Sequence, residues 1–111
     1  MATKVLIGVS LAGLVMLAYL PAVHCGFVNY DDGPYVFENA RVTGGLSWDS
    51  FRWAFTTFHA ANWHPLTWLS LQADASIFGN RPIGFHLTNL VLHVVNVLLL
   101  FAFLLRATEQ L

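Results

Sequence analysis

The sequence predicts an all-α membrane protein with two transmembrane helices, joined by an extracytoplasmic loop that contains short amphipathic interfacial helices. Hydrophobic residues make up 57% of the 111 residues and charged residues only 10%, which is typical of membrane proteins and too apolar for an ordinary soluble domain. Two apolar stretches, residues 5–23 and 83–105, are each long enough to cross a bilayer. All four tryptophans lie between them, as expected of a loop that follows the membrane interface.

The first apolar stretch, residues 5–23, is about 28 Å long as a helix, close to the hydrocarbon thickness of a bilayer. A cleaved signal peptide is the alternative, because Lys4 supplies a basic residue just before the stretch. The stretch is longer than the apolar core of a usual signal peptide, however, and no small-x-small cleavage site precedes Cys25. We therefore predict a retained signal anchor.

The second apolar stretch, residues 83–105, carries a polar stripe on one face. The stripe consists of His86, Asn89, His93 and Asn96, at i, i+3, i+7 and i+10. Because unpaired imidazole and amide groups are costly in lipid, this face is expected to meet other helices or a water-filled cavity. Hydrogen bonding between helices and the lining of a substrate cavity are both open. A metal site is the weakest interpretation, because His86 and His93 stand two turns apart without an evident third ligand.

The loop, residues 24–82, is expected to contain two short helices, at 47–58 and 64–77. Ser47 is a good N-cap for the first helix, whose aromatic residues fall on one face. These residues are Trp48, Phe51, Phe55 and Phe58. Pro65 suits the first turn of the second helix, although residues 70–77 also alternate polar and apolar, so a strand is the alternative there. The aromatic face fits either membrane contact or ordinary packing.

Basic residues at the ends of the two stretches indicate the orientation in the membrane. Lys4 and Arg106 flank the stretches on the same side, which by the positive-inside rule places residues 1–4 and 106–111 in the cytoplasm and the loop outside. Arg81, at the loop end of the second stretch, weakens this bias. Because the Lys and Arg residues are scattered singly, a nucleic acid partner is excluded.

Two adjacent carboxylates, Asp31 and Asp32, follow soon after the first apolar stretch. Any chemistry they perform would act on a molecule reachable from the lipid headgroup layer, so a lipid-linked substrate is the first expectation. Residues 29–34 also form a good turn sequence, in which Asp side chains accept hydrogen bonds from the backbone. The residues by themselves leave a turn and catalysis equally open. The nearby Cys25, the single cysteine, is expected to be a small buried hydrophobe.

Motifs across most of the chain together resemble the amino-terminal part of TMTC-type membrane glycosyltransferases, which are GT-C superfamily proteins. The resemblance lies in FVNYDD at 27–32, YVFEN at 35–39, NWHPLT at 62–67, FG at 78–79 and GFHLTNLVLHVVN at 84–96. Proteins of this type place several transmembrane helices before tetratricopeptide repeats, and bacterial relatives share this layout. The resemblance therefore implies a multi-pass protein, with the bacterial inner membrane as the expected location. This chain lacks the later helices and the repeats, and its end at 106–111 is expected to be a truncation.

The resemblance also implies a chemistry, because GT-C enzymes transfer a sugar from a polyprenyl-phosphate donor to a hydroxyl or amide acceptor. By analogy, Asp31 is the general base of an inverting displacement on a protein or other hydroxyl acceptor. Asp32 then orients the acceptor or holds a divalent cation as a cofactor. The expected substrate-binding residues are His64, His86, Asn89, His93 and Asn96. Candidates to meet the donor phosphate are Arg41, Arg52, Arg81, His59 and His64.

Two other classes of function stay open. The first is a small two-span membrane protein with a binding or assembly role, in which the acidic pair forms a turn and the polar stripe contacts a partner helix. The second is a membrane-anchored sensor or transporter fragment whose histidines titrate. In the glycosyltransferase interpretation, the 111 residues insert in the membrane but are inactive without the missing transmembrane helices. Two spans are too few to enclose a lipid-phosphate groove and an acceptor site.

Overall fold

The computed structural model describes residues 1–108 and is α-helical, with no strand among those residues. The α-helices of this part of the chain are α1 (Ala2–Tyr19), α2 (Ala40–Thr43), α3 (Trp48–Thr56), α4 (Pro65–Phe78) and α5 (Pro82–Thr108). Shorter helical turns are 3-10 turns at Leu20–His24 and His59–Ala61 and a π-helical turn at Gly33–Phe37. Residues 70–77 are helical, so the strand alternative is wrong. Residues 109–111, at the end of the expected cytoplasmic segment, lie outside the described residues.

Two helices are long and apolar enough to cross a membrane. They are Ala2–His24, with 23 residues, and Pro82–Thr108, with 27 residues. In each helix, only 6% of the apolar 18-residue stretch is buried, whereas the core helix of a soluble protein would be mostly covered. The all-α, two-span membrane fold predicted from the sequence is confirmed.

The chain divides into two compact units. The membrane unit consists of Met1–His24 and the chain from Leu87 onwards, and the loop unit is Cys25–His86. In the membrane unit, the Tyr19 ring meets His93 edge-on, with centroids 4.9 Å apart. A Cβ atom placed on Gly8 would lie 3.8 Å from the Leu98 side chain. The two spans therefore contact each other within this unit.

The loop unit has its own core, with α4 at the centre and α2 and α3 packed against it. The buried cluster consists of Val36, Val42, Ala54, Trp68, Ala75 and Phe85. Trp68 and Gln72 of α4 are both 0% exposed. The Gln72 side chain donates a hydrogen bond from Nε2 to the Ser50 carbonyl at 3.1 Å, which ties α4 to α3. The amide oxygen, Gln72 Oε1, is buried without a hydrogen-bond partner among the described residues.

Local sequence signals explain where these helices begin. The Ser47 hydroxyl accepts a hydrogen bond from the Ser50 N–H at 3.0 Å and caps α3. Pro65 occupies the first turn of α4, where its missing N–H is not needed. Between α2 and α3, Gly45 has φ 74°, and a side chain there would also collide with Ser76. Glycine is required at this turn for both reasons.

One expectation about burial is wrong. Cys25 is exposed, because it is the first residue of the loop unit and is not part of the buried cluster.

The α4 helix leaves two of its large aliphatic side chains exposed. Leu66 and Ile77 are 75% and 71% exposed, while Gln72 lies in the core.

Candidate active-site loop

The structure gives different environments to the two adjacent carboxylates. Asp32 is half-buried, and its Oδ2 accepts a hydrogen bond from the Val28 N–H at 2.8 Å. Asp31 is exposed, and its carboxylate accepts no hydrogen bond from another described residue. Its backbone carbonyl instead accepts from the Tyr35 N–H at 3.1 Å. Asp32 therefore closes the turn, whereas the Asp31 carboxylate is open to an external proton donor.

A third carboxylate lies beside the same turn. The Glu38 N–H donates to the Gly33 carbonyl at 2.9 Å, which closes the π-helical turn at Gly33–Phe37. A Cβ atom placed on Gly33 would lie 3.2 Å from Glu38 Oε2. Glu38 was not predicted as a site residue, because its position inside the YVFEN motif is the one feature of the sequence that marks it.

Two histidines hold the segment that follows the acidic pair. His59 Nε2 lies 3.1 Å from the Pro34 carbonyl oxygen, which can only accept, so this nitrogen carries the proton and donates. The Tyr35 hydroxyl and His64 Nε2 are 3.3 Å apart and share a second hydrogen bond. Pro34 and Tyr35 are therefore held by histidines of the segment that connects α3 to α4, which lie 25 and 29 positions further along the chain.

Aromatic stacking reinforces these two hydrogen bonds. The Tyr35 ring stacks on Trp68 with centroids 5.0 Å apart and on His64 at 5.6 Å. Trp68 also contacts the His59 ring, at 5.7 Å, and Trp53, at 5.0 Å. Because Trp68 is fully buried, both histidines rest on a fixed surface of the core.

The segment that presents His59 is strained. Ala60 and Ala61 have φ values of 56° and 61°, in the left-handed region that residues with a Cβ atom seldom adopt. Such conformations cost on the order of 1 kcal/mol or more each and are concentrated at functional sites. The His59 N–H also donates to Thr57 Oγ1 at 3.1 Å. The turn thus fixes His59 at the expense of backbone energy.

The expected substrate-binding residues fall into different parts of the structure. His64 shares the loop unit with the acidic pair, and its buried Nδ1 has no hydrogen-bond partner among the described residues. His86 is the last residue of that unit, and its Nε2 is likewise buried without a partner in residues 1–108. Asn89, His93 and Asn96 belong to the membrane unit and are exposed. The loop unit thus brings His64 and His86, but not Asn89, His93 or Asn96, into one body with Asp31 and Asp32.

The candidate phosphate-binding cations are also distributed. Arg41, Arg52 and Arg81 are all exposed. Arg81 Nε donates to the Phe78 carbonyl at 3.2 Å, so part of this guanidinium serves the turn between α4 and α5. His59 and His64 are the candidates that contact the segment following the acidic pair, at Pro34 and Tyr35.

The described residues do not by themselves form a cation site. Among residues 1–108, no three His, Cys, Asp or Glu side chains are grouped so that they could hold a metal ion. One oxygen of Asp32 is also engaged by the Val28 N–H.

Comparison with known proteins identifies two related sugar transferases. The chain is 33% identical over 98 residues to protein O-mannosyl-transferase Tmtc1 of Drosophila melanogaster, a match that covers 81% of the chain and 11% of that protein. It is 38% identical over 90 residues to protein O-mannosyl-transferase Tmtc2 of the same organism, covering 74% of the chain and 10% of that protein. No family model and no solved structure matches the chain.

The chain thus spans about a tenth of the length of the curated relatives it matches. Its two apolar helices and the similarity to these transferases support a location in a membrane. Over most of its length, the chain is related in sequence to TMTC-type glycosyltransferases.

Proposed function

We propose that the chain is part of an integral membrane glycosyltransferase that moves a sugar from a polyprenyl-phosphate donor to a hydroxyl group of a protein or other acceptor. One observation supports the choice of Asp31 as the catalytic carboxylate. The Asp31 carboxylate is exposed and not engaged by another described side chain, next to Asp32, which is bound to the backbone. A turn-forming role accounts for Asp32, but it leaves the Asp31 side chain without a task.

In the proposed mechanism, Asp31 acts as a general base. The acceptor oxygen attacks the anomeric carbon of the donor sugar while its proton passes to the Asp31 carboxylate. The bond between the anomeric carbon and the phosphate oxygen breaks, and the polyprenyl phosphate leaves with the electron pair. The attack and the departure take place on opposite faces, so the configuration is inverted. Asp32 holds the turn that presents Asp31.

The location of the acidic pair suits a lipid-linked donor. The first candidate span ends at His24, and Asp31 follows it after a short connection. The phosphate of a polyprenyl donor lies at the headgroup level, so a base that hangs just outside the bilayer is within its reach. We further propose that the whole protein is a GT-C-type, multi-pass protein with further transmembrane helices and tetratricopeptide repeats. Its proposed location is a bacterial inner membrane, with the loop outside the cytoplasm.

The donor class gives the first prediction. Because the relatives are named O-mannosyl-transferases, mannose is the sugar to test first. Membranes that contain the whole protein should transfer labelled mannose to protein from mannosyl phosphate linked to a polyprenol. They should not use a nucleotide-linked mannose when synthesis of the lipid intermediate is blocked. Transfer directly from the nucleotide sugar would overturn the proposed donor.

The orientation gives a second prediction, which the 111-residue chain can test. Cys25 is replaced by Ser, and a single Cys is introduced either at Ala40 in the loop unit or at Ala107 near Arg106, both of which are exposed. In intact cells, an impermeant thiol reagent should label Ala40→Cys and should label Ala107→Cys only after permeabilisation. The reverse pattern would place the acidic pair in the cytoplasm.

A binding or assembly role is the second candidate function. It is favoured by the exposure of Asn89, His93 and Asn96 on a helix that is long enough to span a bilayer. Polar groups at that depth favour hydrogen bonding to another helix. In this case substitution of Asp31 would leave the binding or assembly unchanged, whereas in the first candidate function it would slow sugar transfer. This difference separates the two functions.

A further inference from the structure

The loop unit presents a continuous apolar surface on its outside, which we call the aromatic surface. It consists of Trp48, Phe51, Phe55, Trp63 and Leu66, whose exposed fractions are 71%, 39%, 42%, 56% and 75%. Large apolar side chains scattered singly on a surface are ordinary, but a contiguous group marks an interaction site.

Direct contacts connect the members of this surface. The Trp48 and Phe51 rings stack with centroids 5.5 Å apart, and Phe51 meets Phe55 at 5.0 Å. Trp63 Nε1 donates to the Phe55 carbonyl at 2.9 Å. A cavity of about 480 Å³ is lined by Phe55, Trp63 and Leu66, together with His64, Pro65 and Thr67. The five side chains therefore form one patch with an apolar recess at its end.

The aromatic surface is not an unfilled part of the loop unit's core. The α3 and α4 helices already turn other side chains inward, because Ala54 and Trp68 are fully buried in the core cluster. A soluble unit with a complete core would carry polar residues on its outer face. The exposed part of α3 has a polar side, with Asp49, Arg52 and Thr56, and an aromatic side, with Trp48, Phe51 and Phe55. The aromatic side calls for an apolar neighbour outside the unit.

We infer that this neighbour is the lipid bilayer, at the boundary between headgroups and acyl chains. The loop unit begins directly after the candidate span that ends at His24, and it ends inside the second candidate span, which begins at Pro82. It is therefore tethered to the membrane at both ends. Trp and Phe side chains are the residues that favour the interfacial layer. The indole N–H of Trp63 already has a partner in the Phe55 carbonyl, so its ring enters an apolar layer without leaving a donor unpaired.

Charge also distinguishes this surface from an electrostatic membrane contact. The loop unit carries more acidic than basic residues, so attraction to anionic lipids does not explain docking. The surface should bind neutral phosphatidylcholine, and added salt should not release it. Docking through one face also sets the height of Asp31 above the bilayer, since both lie in the same compact unit.

The tryptophans provide a selective probe, because all four lie in the loop unit between positions 48 and 68. The 111-residue chain is reconstituted in phosphatidylcholine vesicles with or without lipids brominated near the top of the acyl chains, which quench nearby indoles. The matched variant carries Trp48→Phe and Trp63→Phe. It keeps the half-buried Trp53 and the buried Trp68, so the core is unchanged.

The wild-type chain should lose about half of its indole emission to brominated lipid, and the double variant should lose much less. Aqueous iodide should quench the wild-type chain weakly. Strong iodide quenching without bromolipid quenching would place the surface in water. Weak quenching by both reagents, together with a dependence on protein concentration, would place a second copy or another protein on it. Either outcome overturns the inference, as does equal bromolipid quenching of the two chains.

Discussion

Asp31→Asn in the whole protein is expected to lower the rate of sugar transfer by about 10² to 10⁴ fold, equivalent to roughly 3 to 5 kcal/mol of transition-state stabilisation. The substitution keeps the size of the side chain and removes the basic carboxylate. Because Asp31 is exposed and holds no other described side chain, protein abundance should not change. Transfer is measured from the lipid-linked sugar at equal amounts of protein.

Asp32→Asn is the matched control for this prediction. The Asn side-chain oxygen can still accept the hydrogen bond that Val28 N–H donates to Asp32 Oδ2. The loss is therefore limited to the charge-assisted part of this bond, which corresponds to about a tenfold change in rate or less. A normal rate for Asp31→Asn would remove Asp31 from the mechanism. If both variants were normal, the acidic pair would be only a turn.

Trp68→Ala is expected to have the largest effect on folding. The side chain is 0% exposed, and truncation of a buried Trp to Ala costs about 3 to 5 kcal/mol. It also removes the surface on which Tyr35 and His64 stack. Amide hydrogens of α4 should exchange about 10² to 10⁴ fold faster, provided that they exchange through opening of the loop unit. Transfer activity should fall together with folding.

Trp48→Ala is the control for the core substitution. Trp48 is 71% exposed, so the same change of residue type removes no buried contact of the core. Exchange in α4 should stay near the wild-type rate, while quenching by brominated lipid should fall. Equal effects of the two substitutions on α4 would mean that Trp68 does not anchor the loop unit.

Local signals in the sequence predict much of the helical structure. The two long apolar stretches have few alternatives to membrane-spanning helices, because their backbone groups must be satisfied within the helix. Ser47 and Pro65 indicate helix starts, and helices begin beside them in the structure. These features depend on neighbours within a few residues, so a sequence is sufficient to recognise them.

The contacts of the candidate site depend on residues far apart in the chain. The hydrogen bond between His59 and Pro34 joins positions 25 residues apart, and the contact between Tyr35 and His64 joins positions 29 residues apart. Neither pair has a sequence spacing that marks it. The left-handed conformation of Ala60 was equally unpredictable, because alanine gives no local signal for positive φ.

The different environments of Asp31 and Asp32 also required the fold. From the sequence, both residues were candidates for a turn and for catalysis, because each is an Asp in the same turn sequence. In the structure the Asp32 carboxylate, and not the Asp31 carboxylate, accepts a hydrogen bond from the backbone of residues 1–108. The aromatic face of α3 was open in the same way, since an amphipathic pattern does not say which neighbour covers it. In the structure Trp48, Phe51 and Phe55 keep exposed fractions of 71%, 39% and 42%, so the core of the loop unit does not cover this face.

Chemical rescue by a small carboxylate tests the central proposal, that Asp31 is a base, most directly. Asp31→Ala and Asp32→Ala are assayed in the whole protein with increasing formate at constant ionic strength. Because Asp31 is exposed, formate should reach the vacated position and restore part of the transfer rate. Asp32→Ala should not respond, since its defect is the lost hydrogen bond to Val28. Rescue of Asp31→Ala alone is the predicted result; a low rate that formate leaves unchanged in Asp31→Ala, or equal rescue of both variants, would contradict the assignment of Asp31 as the base.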